Sequence, residues 1–233
     1  MNRYAVILTH DRPELLCETW CAIGPQVDMV IIIDNASTPP VNFREFHAGT
    51  RILGTWKTAV VSVPDQPPNL SKLWNMGIEM ALTVHGNQDS DVFDSPLVAV
   101  LCDDAQPQPG WFDAVAKAMA DTGAVIGASA PEPFGWIGPP RVKTAPDSDL
   151  VGRMPGWAWI IDPISPVRAD EQFHYWFGDT DLDIQARQSG GMALIGDHPV
   201  PNRIPDGWTG HMAAQVAIDS QRFVGKYNGW RPW

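Results

Sequence analysis

A chain of 233 residues with 44% hydrophobic content is long enough to bury a sizeable core, and one domain over residues 1–233 is expected. Its formal net charge of -11 repels a polyanion and no cluster of Lys or Arg offsets it, which argues against nucleic acid as a partner. No apolar run reaches the roughly 18 residues of a membrane span, and the first residues lack the basic-then-apolar profile of a secretion signal, so a soluble, cytoplasmic protein is expected. Cys17, Cys21 and Cys102 show no CxxC spacing and are expected to be reduced thiols rather than a disulfide or zinc framework.

The first predicted element is a strand over residues 4–9 (YAVILT). In HDRPELL a helix should begin, with Asp11 as cap, Pro13 in the first turn and Glu14 three residues after the cap. Leu15, Leu16, Trp20 and Ile23 supply its inward face, and Gly24 and Pro25 end it. A second buried strand at 29–33 runs into Asp34, Asn35, Ala36 and Ser37, and a third occupies 58–63. From Asn69, the residues Leu70, Leu73, Trp74, Gly77, Ile78, Ala81 and Leu82 recur at helical spacing as far as Gly86. The run LVAVL at 97–101 predicts a fourth strand that stops at Asp103 and Asp104. A helix from Trp111 to about residue 122 and a short strand at 124–128 follow.

The later half is less regular. The stretch APEPFGWIGPPRVKTAPDSD is too long and too punctuated for a turn, and predicts a loop near the site, either a lid or an inert excursion. In ADEQFHYWFGDTDLDIQARQSGG, the residues Phe173, Tyr175, Trp176 and Phe177 predict a short helix packed on the sheet, with Asp179, Asp181 and Asp183 opening the next one. On a helix Asp179 and Asp183 share a face, Asp181 points away, and Arg187 falls four residues after Asp183. Asp183 is therefore the structural candidate, and Asp179 and Asp181 are left for chemistry.

Alternating strands and helices with continuous apolar strands imply an α/β fold, a parallel sheet covered on both faces. Such sheets bind ligands beyond the carboxyl ends of their strands. Polar and acidic tips stand at three of those ends, His10-Asp11, Asp34-Asn35 and Asp103-Asp104. Each pair alone reads equally as a cap or a turn. Adjacent carboxylates leaving a buried strand repel each other unless a cation or donors compensate, and a hard divalent ion does so economically. Neither GxGxxG nor GxxxxGK[ST] occurs, which lowers the dinucleotide and P-loop options.

Taken in order, these segments resemble the GT-A-fold glycosyltransferases, above all the inverting group called glycosyltransferase family 2. ILTHDRPELL is similar to the family's "TYNRPELL", VIIIDNAST to its "VVVDNAST", and WNMGIEMA to its "RNxGI" helix. LCDDAQPQPGW is similar to "LDDDxxPxPGW", which carries the DXD element, and GWAWIID with DEQFHYWFGDTDLDIQAR to the "DExFxxxxEDxDLxxR" region. The resemblance implies a GT-A fold, an open and mostly parallel sheet with helices on both faces. A nucleotide-sugar half (residues 1–128) would precede an acceptor and catalytic half (129–233).

The activity implied is transfer of a sugar from a UDP-, GDP- or dTDP-sugar to an acceptor hydroxyl with Mn²⁺ or Mg²⁺, the acceptor being a soluble protein or glycan. By position, Thr9, His10, Arg12, Asp34, Asn35, Lys72, Asn75 and Asp103 are implied for the nucleotide-sugar, and Asp104 for the metal. Asp179 is implied as catalytic base with Asp181 as runner-up, and His211 rather than His198 as a further metal ligand. Among the many Trp residues of the second half, which read first as core, Trp157 is the candidate for stacking on a sugar face, since an aromatic ring offers a flat apolar platform. Cys102 and Gly178 stand where the family pattern has acids. They keep open an alternative, a catalytically silent nucleotide-sugar-binding or assembly module.

Overall fold

The computed structural model describes residues 2–42, 57–64, 67–87, 95–130, 138–144, 154–203 and 212–228. In chain order the strands are β1 (Arg3–Thr9), β2 (Met29–Asn35), β3 (Lys57–Val63), β4 (Leu97–Cys102), β5 (Ile126–Ser129), β6 (Arg141–Lys143), β7 (Ala158–Ile161) and β8 (Met192–Ile195). The α-helices are α1 (Pro13–Ile23), α2 (Leu70–Gly86), α3 (Trp111–Thr122), α4 (Gly178–Gln188) and α5 (Ala213–Lys226).

All eight strands join one sheet in the order β3-β2-β1-β4-β7-β5-β8-β6. The block β3-β2-β1-β4 is parallel, as the strand–helix alternation predicts, because a parallel return needs a crossover. The sheet is mostly parallel, as expected, and its departures from parallel lie in the second half. There β7 pairs antiparallel with both β4 and β5, and β6 closes the edge antiparallel to β8. Between β5 and β7 the described residues contain no helix that could carry a parallel crossover.

The period-two alternation of each central strand divides the core between two faces. Ala5 and Ile7 of β1 with Val30 and Ile32 of β2 pack against Leu16, Trp20 and Ile23 of α1 and Trp111, Phe112, Val115 and Met119 of α3. Tyr4, Val6 and Leu8 with Ile31 and Ile33 pack against Leu73, Trp74, Ile78 and Ala81 of α2 and Leu182 and Ala186 of α4. Each such buried side chain stabilises the fold by about 1.5–3 kcal/mol over its exposed state. Gly77 lets α2 approach β1 closely, since a Cβ there would stand 2.3 Å from Val6 Cγ1. A third cluster joins α5 through Phe223 to Phe173 and Phe177.

Several local expectations shift. Asp11 does not cap α1. It has a φ of +54°, its carboxylate accepts the Thr38 N–H at 2.6 Å, and its own N–H donates to Ser37 Oγ at 2.9 Å, so it ties the turn after β1 to the turn after β2. Asn69 does cap α2, its side-chain oxygen accepting the Lys72 N–H at 3.0 Å. Residues 173–177 form turns rather than a helix, and residues 141–143 of the expected loop are strand β6. Much of that loop lies outside the described residues, and with it the question of a lid. Asp183 and Arg187 pair as their spacing predicts, at 2.6 and 2.8 Å, with both side chains buried. No helix among the described residues is long and apolar enough to cross a membrane.

Candidate active site

The carboxyl ends of β1, β2 and β4 open onto a cavity of about 450 Å³. Thr9, His10 and Arg12 reach it from the β1–α1 turn, Asn35 from β2, and Cys102, Asp103 and Asp104 from the end of β4. Opposite in the sequence, Tyr175, Trp176, Phe177 and Asp179 come from the segment that leads into α4. Acids from two distant parts of the chain therefore line one concavity at the position where open α/β sheets take ligands.

The β4 end is strongly organised. Asp103 is almost fully buried, accepting from the Thr9 hydroxyl at 2.9 Å and from Arg12 Nη1 at 3.1 Å. Burial pushes its carboxyl up to about 6 despite the restraining effect of Arg12 and Thr9, with the Asp104 charge adding to the rise. Asp104 is also pushed up, mainly by burial, although Arg12 Nη1 lies 3.5 Å from its Oδ2. Thr19 Oγ1 sits 2.7 Å from the carbonyl oxygens of both Asp103 and Ala105, which holds the turn in place. Burial, then the charges of Asp104, Asp103 and Asp179, drives the Cys102 thiol well above its ordinary value, so it stays protonated.

The donor set at this end suits a hard cation. Asp104 Oδ1 is buried and meets no hydrogen-bond donor among the described residues, a condition that costs about 1–3 kcal/mol for a neutral acceptor and more for a charged one. A divalent ion satisfies such an oxygen, and oxygen-rich ligands are what Mg²⁺ and Mn²⁺ prefer. Among the described residues no group of three or more His, Cys, Asp or Glu is placed to hold an ion. His211 lies outside the described residues. His198 has a φ of +55° and does not line the cavity.

On the other wall, Asp179 Oδ1 accepts the Thr180 N–H at 2.8 Å. Gly156 leaves room for this carboxylate, since a Cβ there would lie 3.0 Å from Asp179 Oδ2. Gly178 is dictated by packing in the same way. Its Cβ would stand 2.7 Å from Ser71 Oγ and 2.9 Å from the Trp74 ring, so α2 occupies the space where the family pattern has its first acid.

Four residues proposed for the site from the sequence stand outside the cavity wall. Asp34 is fully buried and spends its two oxygens on the N–H groups of Ser37 at 3.1 Å and Val41 at 2.9 Å. Asn75 pins the 169–171 segment through the Ala169 carbonyl at 2.8 Å, the Ala169 N–H at 3.0 Å and Glu171 at 3.1 Å. Lys72 sits on the first turn of α2, away from the lining. Asp181 is fully buried and bound by Tyr227 Oη at 2.5 Å, Gln185 at 2.6 Å and Lys226 at 2.6 Å, so it locks α5 to α4. Trp157 does line the cavity, with its indole N–H donated to the Val200 carbonyl at 2.9 Å.

Sequence reasoning missed Asp219 and the exposed role of Tyr175 and Trp176. Asp219 is fully buried on α5 and accepts from the N–H groups of His174, Tyr175 and Trp176 at 3.3, 2.9 and 3.0 Å. A signal existed, because Asp219 lies four residues before Phe223 and so shares the apolar stripe of its helix.

No protein-family model matches the chain, and no curated protein sequence does. Among solved structures it is similar to S. aureus TarS 1-349 in complex with UDP, with a TM-score of 0.61 and 10% identity over 96% of this chain and 66% of that one. TarS 1-349 in complex with UDP-GlcNAc gives 0.60 and 9% over 96% and 67%. Glucosyl-3-phosphoglycerate synthase from Mycobacterium tuberculosis, in complex with Mn²⁺, UDP-glucose and phosphoglyceric acid, gives 0.61 and 12% over 97% and 79%. The fold is GT-A. This chain spans between 59% and 67% of the length of the TarS 1-349 chains it matches.

Proposed function

We propose that the chain is a metal-dependent glycosyltransferase that moves a sugar from a nucleotide-diphosphate sugar to an acceptor hydroxyl, inverting the anomeric centre. The observation that carries this reading is the convergence of Asp103, Asp104 and Asp179 on one cavity at the carboxyl ends of the parallel strands. Solved structures that share the fold hold UDP, UDP-GlcNAc and UDP-glucose, which supports a nucleotide-sugar as the ligand.

In this reading Asp104 holds Mn²⁺ or Mg²⁺, with His211 as the proposed further ligand. The ion supplies Lewis-acid stabilisation of the leaving diphosphate, a contribution of several kcal/mol. Thr9, His10, Arg12, Asn35 and Asp103 form the nucleotide side, where the Arg12 guanidinium is oriented by Asp103. Asp179, half-buried beside Gly156, accepts the proton of the acceptor hydroxyl. The acceptor oxygen bonds to the anomeric carbon while the bond to the diphosphate oxygen breaks and takes its electron pair away. A positioned base of this kind contributes about 10²–10⁴ in rate. Attack from the face opposite the leaving group inverts the centre.

The test is release of nucleotide from UDP-, GDP- and dTDP-sugars by the purified protein with Mn²⁺. Asp104→Asn and Asp179→Asn should each abolish turnover with an unchanged circular dichroism spectrum, and undiminished turnover in either refutes its role. The crowding at Gly178 favours one second reading, a silent nucleotide-sugar binder, because an acid at that position would have to displace the Ser71 or Trp74 side chain. Donor binding without turnover across all three bases would support it.

A further inference from the structure

The cavity wall formed by residues 175–177 has a chemistry that the donor half does not need. The Tyr175 and Trp176 rings stack with centroids 6.4 Å apart and 24° between planes. Both line the cavity, and Trp176 stays 37% exposed, a large apolar ring left facing solvent at the mouth of a site. Pro68, Leu70 and Phe177 extend the apolar surface beside them. Among the described lining residues the sole cation is Arg12, which lies 3.1 Å from Asp103 and 3.5 Å from Asp104, while Asp179 adds a third carboxylate. On the acceptor side the described lining residues Tyr175, Trp176, Phe177 and Asp179 include no cation, while Arg12 and the ion proposed at Asp104 are the groups that the donor diphosphate would take, so an anionic acceptor finds a carboxylate and no charged partner of its own.

The wall is held from behind. Three consecutive N–H groups, of His174, Tyr175 and Trp176, end on the carboxylate of Asp219, which is itself bound by Gln215 at 2.8 Å. One turn along α5, Phe223 stacks on Phe177 with centroids 4.8 Å apart and packs on Phe173 at 6.0 Å. Phe177 has a φ of +68°, a backbone state that a bulky side chain adopts only when its surroundings enforce it. A single helix thus fixes the backbone on both sides of the half-buried Tyr175 and the exposed Trp176.

We propose that the Tyr175–Trp176 pair is the acceptor-reading wall of this site, that the acceptor it reads is an uncharged carbohydrate whose ring face lies on Trp176, and that Asp219 is the residue that positions it. The proposal rests on the sugar-transfer reading above. Sugar rings present apolar C–H faces to aromatic planes, and a wall that sets these rings beside Asp179 with no cation among its described residues disfavours sugar phosphates and uronic acids.

The test uses the whole chain with Mn²⁺ and a donor that it turns over, comparing cellobiose, maltotriose and chitobiose with glucose 6-phosphate and glucuronate as acceptors. Transfer should favour the uncharged set. Trp176→Ala should raise KM for the best acceptor about tenfold, with a far smaller change in kcat. Asp219→Asn should produce the same KM-dominated loss, because it acts only through the wall. Preference for the charged acceptors, or a fall in kcat at unchanged KM in both variants, overturns the proposal. If the wild type turns over no donor, the sugar-transfer reading fails by itself, and calorimetric titration with the three uncharged sugars still decides the wall. Binding weakened in Trp176→Ala supports it, and no binding or equal binding overturns it.

Discussion

Asp103→Asn isolates the electrostatic cost of the β4 terminus. In the folded protein burial holds the Asp103 carboxyl at about 6, against an ordinary value of 3.8. A raised folded-state value means that the native state keeps a proton which the unfolded chain has released. The stabilising contribution is therefore full below the ordinary value and is lost as pH rises through the folded value. A gap of about two pH units at 1.36 kcal/mol each corresponds to about 3 kcal/mol. The Asn variant keeps an oxygen for the Thr9 hydroxyl and removes the titration. Urea unfolding followed by tryptophan fluorescence should show wild-type stability falling relative to the variant by about 3 kcal/mol between pH 3.8 and well above 6. Parallel pH profiles for the two proteins would refute the claim that a buried, proton-hungry carboxylate stands at this strand end.

Three other perturbations follow from the same geometry. Mn²⁺ should raise the thermal midpoint of the wild type at neutral pH, by about 2.7 kcal/mol of stabilisation at a hundredfold excess over Kd, and Asp104→Asn should remove the rise. Differential scanning fluorimetry reads this without any turnover. Gly178→Glu, which places an acid at this position, should cost about 1–3 kcal/mol in chemical denaturation, because its Cβ lands 2.7 Å from Ser71 Oγ. Wild-type stability in that variant would show that the Trp74 wall is softer than its packing implies. Asp183→Asn should destabilise by about 3–5 kcal/mol, since it leaves Arg187 buried without its ionic partner, and a loss typical of a surface pair would refute the burial of both groups.

The sequence by itself determined the elements of the first half and the acidic strand tip that lines the cavity. Apolar runs at 4–9, 29–33 and 97–101 could only be buried strands, and the helical spacing from Leu70 to Ala81 could only cover them, because periodicity is a local property of side-chain direction. Asp103 and Asp104 were legible as a marked strand tip because two charges there are costly wherever the chain goes next, and both line the cavity. The Asp183–Arg187 pair was legible because its partners are one helical turn apart. What only the tertiary structure decided involves partners far apart in the chain. Asp34 and Asp181 look like site acids in a string of letters, yet one spends its oxygens on its own loop and the other on Tyr227 and Lys226 of the last helix. Asp219 looks like a surface carboxylate and instead lies beneath the backbone of 174–176, some 43–45 residues away in the chain. The reversal of β7 and the choice of glycine at 178 also lie in this class, since both answer to the space left by other elements. A carboxylate's environment depends on what folds over it, and residue type and spacing do not carry that information.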